Sequence, residues 1–311
     1  MDIEYLLFLQ NFRISINDSL TPFLEYLSLF AVTLIRLLPA FVYWCVDKKK
    51  GLFTIMAWNM SVAFNVLVKN IACVYRPWIR EPKIIPAGDA IATAGGYSFP
   101  SGHTATVTPI YGSFAMFVKN RVWKIFWVLA IFVTMFSRNY LGVHTPQDVI
   151  VGFAIGCAAL FVTCKIFAYI ENKPEREDLI LGIIFVLGLV VLIYTTYKSY
   201  PIDYDASGKI LVKPDNMRRG AWADIGGLLA FVIARFCEKR WVKFSSTGVN
   251  ARGIILAIIG MIPLSLMILY LKPVTIEIFG AFWGRLAYTA SMIVYIVLIY
   301  PIVLKFFARN K

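Results

Sequence analysis

Charge is scarce in this chain of 311 residues, at 16% Asp, Glu, Lys and Arg against about 25% in soluble domains. Histidine is scarcer still, with two residues, and cysteine contributes five. No Cys/His set has a zinc-type spacing, and no glycine-rich loop ends in Lys-Ser or Lys-Thr. Neither a resident metal nor a P-loop is therefore expected. The cysteines Cys45, Cys73, Cys157, Cys164 and Cys237 lie mostly in apolar stretches and read as small buried residues, not a disulfide framework. A cleavable leader is not expected either, since Met1–Arg13 mixes apolar and charged residues with no small-residue cleavage site after it. Fixed-period repeats, low-complexity tracts and a soluble domain are absent. What abounds is apolar: 59% of residues, a mean hydropathy of +0.70, where soluble chains run at about 45–50% apolar. This excludes a disordered chain, a nucleic-acid module with a solvated basic surface, and almost any cytosolic enzyme. A polytopic membrane protein remains. The net charge of +13 then reads as basic loops facing anionic lipid on one side of a bilayer, with no nucleic-acid partner.

Apolar runs follow at roughly Leu20–Val46, Leu52–Tyr75, His103–Val118, Val122–Phe136, Asp148–Ile170, Leu179–Tyr197, Ala221–Phe236, Gly253–Leu271 and Phe282–Phe306. Each must satisfy its own backbone hydrogen bonds in a bilayer, so each is expected to be helical. The expectation is an all-α polytopic membrane bundle of about nine transmembrane helices, with short third, fourth and seventh spans. Ile3–Phe12 fits a short interfacial helix better than a span. Basic residues gather on one side at Lys48–Lys50, Lys119, Arg121, Lys173, Arg176, Lys239, Arg240, Lys243, Arg252 and the tail Lys305, Arg309 and Lys311. The bias is modest and sharpens once Arg76 and Arg138 are set aside as candidate site residues. It puts the tail in the cytoplasm and the N-terminus outside, as an odd number of crossings requires.

Both histidines, His103 and His144, fall on the outward side of that topology. Either alone would read as a satisfied interfacial histidine, but their surroundings differ from that. Lys69 stands seven residues before Arg76, about two turns along one helix face. An ammonium inside an apolar span is costly and usually functional, although Lys69 could also snorkel to the interface. Ser101 before an apolar run is a good N-cap. The same geometry presents free N–H groups to an anion, and Gly102 lets a ligand approach the backbone closely. In the stretch Arg138 to Asp148, Thr145 reads as an N-cap, Pro146 as the first helical residue and Asp148 as the acidic third position. Asp148 also lies one turn after His144, close enough to take a hydrogen bond from its ring and fix its tautomer. Three cations, a helix-start nest, two imidazoles and a carboxylate are the parts for metal-free phosphoryl transfer.

The blocks Lys69-x6-Arg76-Pro77, Pro100-Ser101-Gly102-His103 and Ser137-Arg138-x5-His144-x3-Asp148 resemble, in order and with full spacing, the tripartite signature of the type-2 phosphatidic acid phosphatase superfamily. The resemblance covers Lys69 to Asp148, with a family-like helical frame from about Leu20 to Ile170. It implies that His144 is the nucleophile, that Asp148 orients it, and that His103 is the acid for the leaving oxygen and then the base for water. Lys69, Arg76, Ser101, Gly102 and Arg138 would bind phosphate, with no metal and no cofactor. The layout departs from six-span lipid phosphatases and resembles the nine-span glucose-6-phosphatase arrangement and the longer sphingosine-phosphate phosphatases. The expected division is a phosphatase core over residues 1–170 and additional transmembrane helices over 171–311.

The leading expectation is a membrane phosphatase for lipid phosphate mono- or diphosphate esters. It would work through a phosphohistidine, with the site opening at the outer, extracytoplasmic leaflet of a bacterial plasma membrane. The rivals are a phosphatase for a soluble sugar phosphate and a non-catalytic lipid-binding or transport protein. The latter should have lost a histidine or the aspartate, or should show paired halves with interrupted helices. Outside the signature, Arg36 sits deep in the first run and could meet an anionic headgroup or pair with an acid such as Glu25. Arg218, Arg219, Trp222 and Asp224 could line an entrance, Trp222 also reading as an interfacial anchor.

Overall fold

The computed structural model describes residues 2–31 and 33–308, so Arg309 and Lys311 of the basic tail lie outside the described residues. Its helices are α1 (Asp2–Ser15), α2 (Thr21–Phe30), α3 (Leu37–Phe41), α4 (Lys48–Ala72), the single turn α5 (Pro77–Arg80), α6 (Gly102–Phe117), α7 (Arg121–Tyr140), α8 (Pro146–Asn172), α9 (Glu177–Tyr197), α10 (Pro214–Cys237), α11 (Ala251–Leu266), α12 (Lys272–Val294) and α13 (Tyr300–Ala308). Among the described residues no strand forms, and the one extended pairing is an isolated bridge between Tyr204 and Ile210. The chain is an all-α membrane bundle. Six helical segments are long and apolar enough to cross a bilayer, or seven if Thr21–Phe30 and Leu34–Val46 count as one span.

Helix starts fall where the sequence offers capping oxygens. Asp47 accepts from the Lys50 N–H at 3.0 Å, Asn120 from Val122 at 2.8 Å and Asn250 from Gly253 at 2.9 Å, each relieving an unpaired N–H of a first turn. Cys73, in the left-handed conformation (φ 49°), closes α4. The run 251–307 is not one rod. Gly280 (φ 76°, ψ 175°) breaks it, and the two arms bond to each other: Arg252 to the Phe307 carbonyl, Tyr300 to Leu256, Tyr295 to Gly260 and Tyr288 to Ile268. These partners close in register on Gly280, so the run is an antiparallel hairpin. A single buried core joins the first and last thirds of the chain, from Trp44 and Trp58 to Ile225, Phe231 and Ile296. The Trp44 indole reinforces it by donating to the Ile296 carbonyl at 2.8 Å.

The two ends of the bundle differ chemically. At one end Arg235 bridges Glu177 (2.8 Å) and Glu238 (2.6 Å), and Lys48 reaches Glu238 at 2.6 Å. At the other end the C-termini of α4 and α7 meet the N-termini of α6 and α8, which brings all three sequence blocks together. Close packing permits this. A Cβ on Gly152 of α8 would stand 2.7 Å from the Ser101 carbonyl oxygen and 3.2 Å from Thr104. A helix forms at the expected Ile3–Phe12, as α1. It lies against the loop after α5, where Gln10 donates to the Lys83 carbonyl, Arg13 to Ile85, and Arg80 pairs with Asp2 at 2.9 Å.

Candidate active site

The stretch 141–145 turns the chain from α7 into α8 and carries His144, which is 1% exposed. Thr145 and Asp148 form the reciprocal capping box that starts α8. Capping and ring orientation thus share one carboxylate: Asp148 Oδ2 accepts from Thr145 N–H at 2.8 Å, from Ser98 Oγ at 2.5 Å and from His144 Nδ1 at 3.2 Å. On the other side of the ring, Arg76 Nη1 stands 2.9 Å from Nε2. A guanidinium can only donate, so Nε2 carries the lone pair and Nδ1 the proton. Asn139 fixes the backbone by donating to the His144 carbonyl at 2.8 Å. The ring lies outside the membrane-spanning helices. Burial first, and then Arg76, Arg138 and Lys69, hold its pKa well below the ordinary value near 6.5.

The other expected residues converge on the same place. Arg76 is anchored to the Gly95, Gly96 and Val143 carbonyls at 3.1, 3.1 and 2.9 Å. Arg138 is fully buried; its Nη1 donates to the Ser28 hydroxyl, while its Nε and Nη2 have no partner. His103 is 5% exposed, its Nε2 has no partner, and it lies within electrostatic reach of Arg138, His144, Arg76 and Lys69. Buried unpaired donors are costly. Three such nitrogens from Arg138 and His103, beside Arg76, fit an anion with several acceptor oxygens.

Lys69 takes a different position from the expected one. Its ammonium gives hydrogen bonds to the carbonyls of Tyr97 (3.0 Å), Ser98 (3.1 Å) and Pro100 (2.6 Å). Three donors meet three acceptors, so Lys69 holds the second block in shape. Ser101 accepts from Thr104 N–H at 3.4 Å as the N-cap of α6, and its own N–H donates to the Asp148 carbonyl at 2.8 Å. A Cβ on Gly102 would meet no protein atom nearer than Asn65 Oδ1 at 3.9 Å. The glycine is open toward the cavity, not packed.

Sequence reasoning missed Ser98 and Asn139, which hold Asp148 and His144. A serine inside Tyr97-Ser98-Phe99-Pro100 has no spacing that announces a partner fifty residues away. Of the readings left open for Arg36, pairing with Glu25 does not form. Glu25 accepts from the Asp89 N–H at 2.6 Å instead. The acid in electrostatic reach of Arg36 is Asp224, and both line a cavity with His103. The reason is geometric: the single turn Leu34–Arg36 before α3 carries Arg36 into the cavity that Asp224 of α10 also lines. Trp222 does not line that cavity. It packs edge-on against Phe282 and Trp283 and donates to Thr196 at 2.9 Å. Among the described residues no three His, Cys, Asp or Glu side chains gather in a way that could hold a metal ion. All five cysteines are free thiols.

Residues 50–172 match the family model described as PAP2 superfamily. The undecaprenyl-diphosphatase BcrC of Bacillus subtilis is 33% identical over 54% of this chain and 83% of its own length. The dolichyldiphosphatase of Saccharomyces cerevisiae is 28% identical over 63% of this chain and 84% of its own. An undecaprenyl-diphosphatase of Sulfolobus acidocaldarius is 26% identical over 38% of this chain, and there the chain spans 56% of the relative's length. No solved structure matches the chain. With the three blocks assembled at one end of the bundle and these similarities in hand, the chain belongs to the PAP2 superfamily.

Proposed function

We propose that the protein is an integral-membrane phosphatase that hydrolyses phosphate esters of lipids through a phosphohistidine on His144, without a metal ion. The observation that carries this reading is the His144 ring, set between Asp148 at Nδ1 and Arg76 at Nε2. This leaves a neutral, oriented imidazole whose Nε2 lone pair accepts from Arg76. An incoming phosphate draws the Arg76 N–H onto its own oxygen, together with Arg138 Nε and Nη2. Nε2 then attacks phosphorus, and the bond to the ester oxygen breaks. The dianionic phosphate offsets the cations around His103, which is protonated in that complex; the ester oxygen takes this proton and leaves as an alcohol. Neutral His103 next removes a proton from water, whose oxygen attacks phosphorus. The P–N bond breaks, inorganic phosphate departs, and both rings return to their starting states. The guanidinium groups stabilise the equatorial charge throughout.

Residues 1–170 carry these reacting groups in this reading, and 171–311 supply cavity walls. Nine spans follow if the hairpin at Gly280 counts as two crossings, buried α6 as one, and α2 with α3 as one. The site then faces outward with the N-terminus, and the Arg235–Glu238 end faces the cytoplasm. The relatives named for undecaprenyl and dolichyl diphosphates support a lipid-borne phosphate. A phosphate-release panel over lipid monophosphates, lipid diphosphates and sugar phosphates tests this, with His144→Ala as control. Release from lipid esters that disappears in the variant is expected. Turnover of sugar phosphates alone, or undiminished release by the variant, contradicts it.

A further inference from the structure

The cations that surround the rings of His103 and His144 are Arg76, Arg138 and Lys69. A second group of cations adjoins this one, and none of its members belongs to the part that matches the family model. Lys272 is in electrostatic reach of Arg285 and Arg36, and Arg285 of Arg219. Asp224 stands between the two groups, in reach of Arg36 and Arg285 and also of Lys69.

The fold forces the second group together. The two arms that flank Gly280 pack so closely that a Cβ on Gly284 would collide with the Thr275 carbonyl. This brings Lys272 and Arg285 toward each other across the bend. Gly226 gives α10 a similar approach to α12, since a Cβ there would stand 2.7 Å from Leu286. Arg219 and Asp224 are thereby set beside Arg285. The turn Leu34–Arg36 adds the fourth cation, and Arg36 lines a cavity of about 240 Å³ with Asp224 and His103.

Gathering like charges costs free energy unless counter-charge comes with them. At the opposite end of the bundle it does: Lys48, Arg235, Lys239 and Arg240 each meet an acid. Here it does not. Among the described residues the four side chains make no hydrogen bond and no ion pair, and the Nε atoms of Arg36 and Arg219 are buried without a partner. Arg36 and Arg219 rest instead on the faces of Trp58 and Phe282, at 5.8 and 5.6 Å. Such stacking holds a guanidinium but leaves its N–H groups unspent. Asp224 offsets one charge of the four. Glu277, on the arm of Lys272, is not among the charges that act on Lys272 or Arg285. Snorkelling to the interface accounts for exposed Lys272 but not for the two buried nitrogens.

We propose that Arg36, Arg219, Lys272 and Arg285 form a second anion site, which takes a phosphate group other than the one held between Arg76 and Arg138. Three guanidinium groups suit a tetrahedral anion with several acceptor oxygens, and the excess of positive charge suits a multiply charged phosphate better than a single carboxylate. That group comes from free inorganic phosphate or from the headgroup of an anionic lipid. The site stands apart from the proposed hydrolysis, because nothing bound there reacts.

Equilibrium dialysis of labelled inorganic phosphate against the full-length protein, held in nanodiscs of zwitterionic phosphatidylcholine, tests the site. Two phosphates per chain are expected. Arg285→Gln should weaken one of them by about tenfold, the scale of one hydrogen bond to a charged group. Lys272→Gln, at an exposed position, should weaken the same one by about threefold, as a solvent-screened charge does. Arg285→Lys should recover part of the loss. The other phosphate, unchanged in these variants, reports an intact fold, and Arg138→Gln should weaken that one alone. One phosphate per chain, or two that are indifferent to Arg285→Gln and Lys272→Gln, overturns the site. Nanodiscs containing phosphatidylglycerol separate the sources: loss of the second phosphate there assigns the site to a lipid headgroup, and retention assigns it to free phosphate. Two bound phosphates in a protein that turns over no ester would refute the hydrolysis and leave the second site standing.

Discussion

The chemistry at the smallest scale rests on one ring whose two nitrogens are told apart by their neighbours. Because burial and three cations hold the His144 pKa well below 6.5, the ring stays neutral and nucleophilic at pH values where an ordinary imidazole is half protonated. Activity that needs this lone pair is complete above the depressed pKa and is lost as pH falls through it. The acid limb of kcat/KM, which reports the free enzyme, should therefore fall below pH 6.5; a limb at or above that value would contradict the geometry. Ser98→Ala removes the 2.5 Å bond to Asp148 and leaves that carboxylate less firmly held. A loss of about tenfold in kcat, with little change in KM, is expected from one charge-assisted hydrogen bond; an unchanged kcat would mean that Thr145 and the ring suffice. The pairing of His144 with Asp148 was legible from their four-residue spacing, whereas the approach of Arg76, His103 and Arg138 depends on how α4, α6, α7 and α8 pack and could be suspected only from the three blocks taken together. The role of Lys69 was not legible. Its three acceptors are backbone carbonyls of the loop at 97–100, and nothing in residue types reports where a carbonyl points.

Helices place these residues, and two glycines show how. Gly152 stands where α8 crosses the start of α6, with no room for a methyl beside the Ser101 carbonyl. Gly152→Ala must push the two helices apart. A destabilisation of about 1–3 kcal/mol is expected from such overpacking, together with a fall in activity, since the Ser101–Asp148 backbone bond crosses that contact. Gly102→Ala meets no protein atom within 3.8 Å by the same measure, its nearest being 3.9 Å away. It should keep its melting temperature yet bind phosphate esters or vanadate more weakly. Equal melting temperatures for the two variants would show that the α6–α8 contact does not set the spacing. The starts of α6 and α8 were readable because Ser101 and Thr145 announce them by their side chains, while the caps at Asp47, Asn120 and Asn250 emerge in the structure. The hairpin was readable as two apolar runs separated near Gly280. The break within the first run was harder to read. Pro39 removes one N–H there, but the turn that carries Arg36 into the cavity depends on the packing of α3 against α4 and α11, which no local pattern encodes.

For the whole molecule, the question is what the last third contributes. The core that holds α4 and α6 continues without interruption into α10 and the final hairpin, and Trp44 is bonded to Ile296 across it. A chain truncated after Asn172 would expose that face of α4. It should fail to give a monodisperse, active protein in detergent, and a stable active truncation would show that the part matching the family model stands alone. Apolar runs spoke for the bundle, and three short blocks spoke for the site. The cavity was hidden because its walls come from two distant stretches of sequence, 36–106 and 223–296. The most direct test of the account is transfer of labelled phosphate from substrate to the protein during a rapid quench. Label is expected on His144, stable in alkali and released in acid as a phosphoramidate should be, and absent from His144→Ala. Turnover with no trapped label in either protein, or label that persists in His144→Ala, would contradict it.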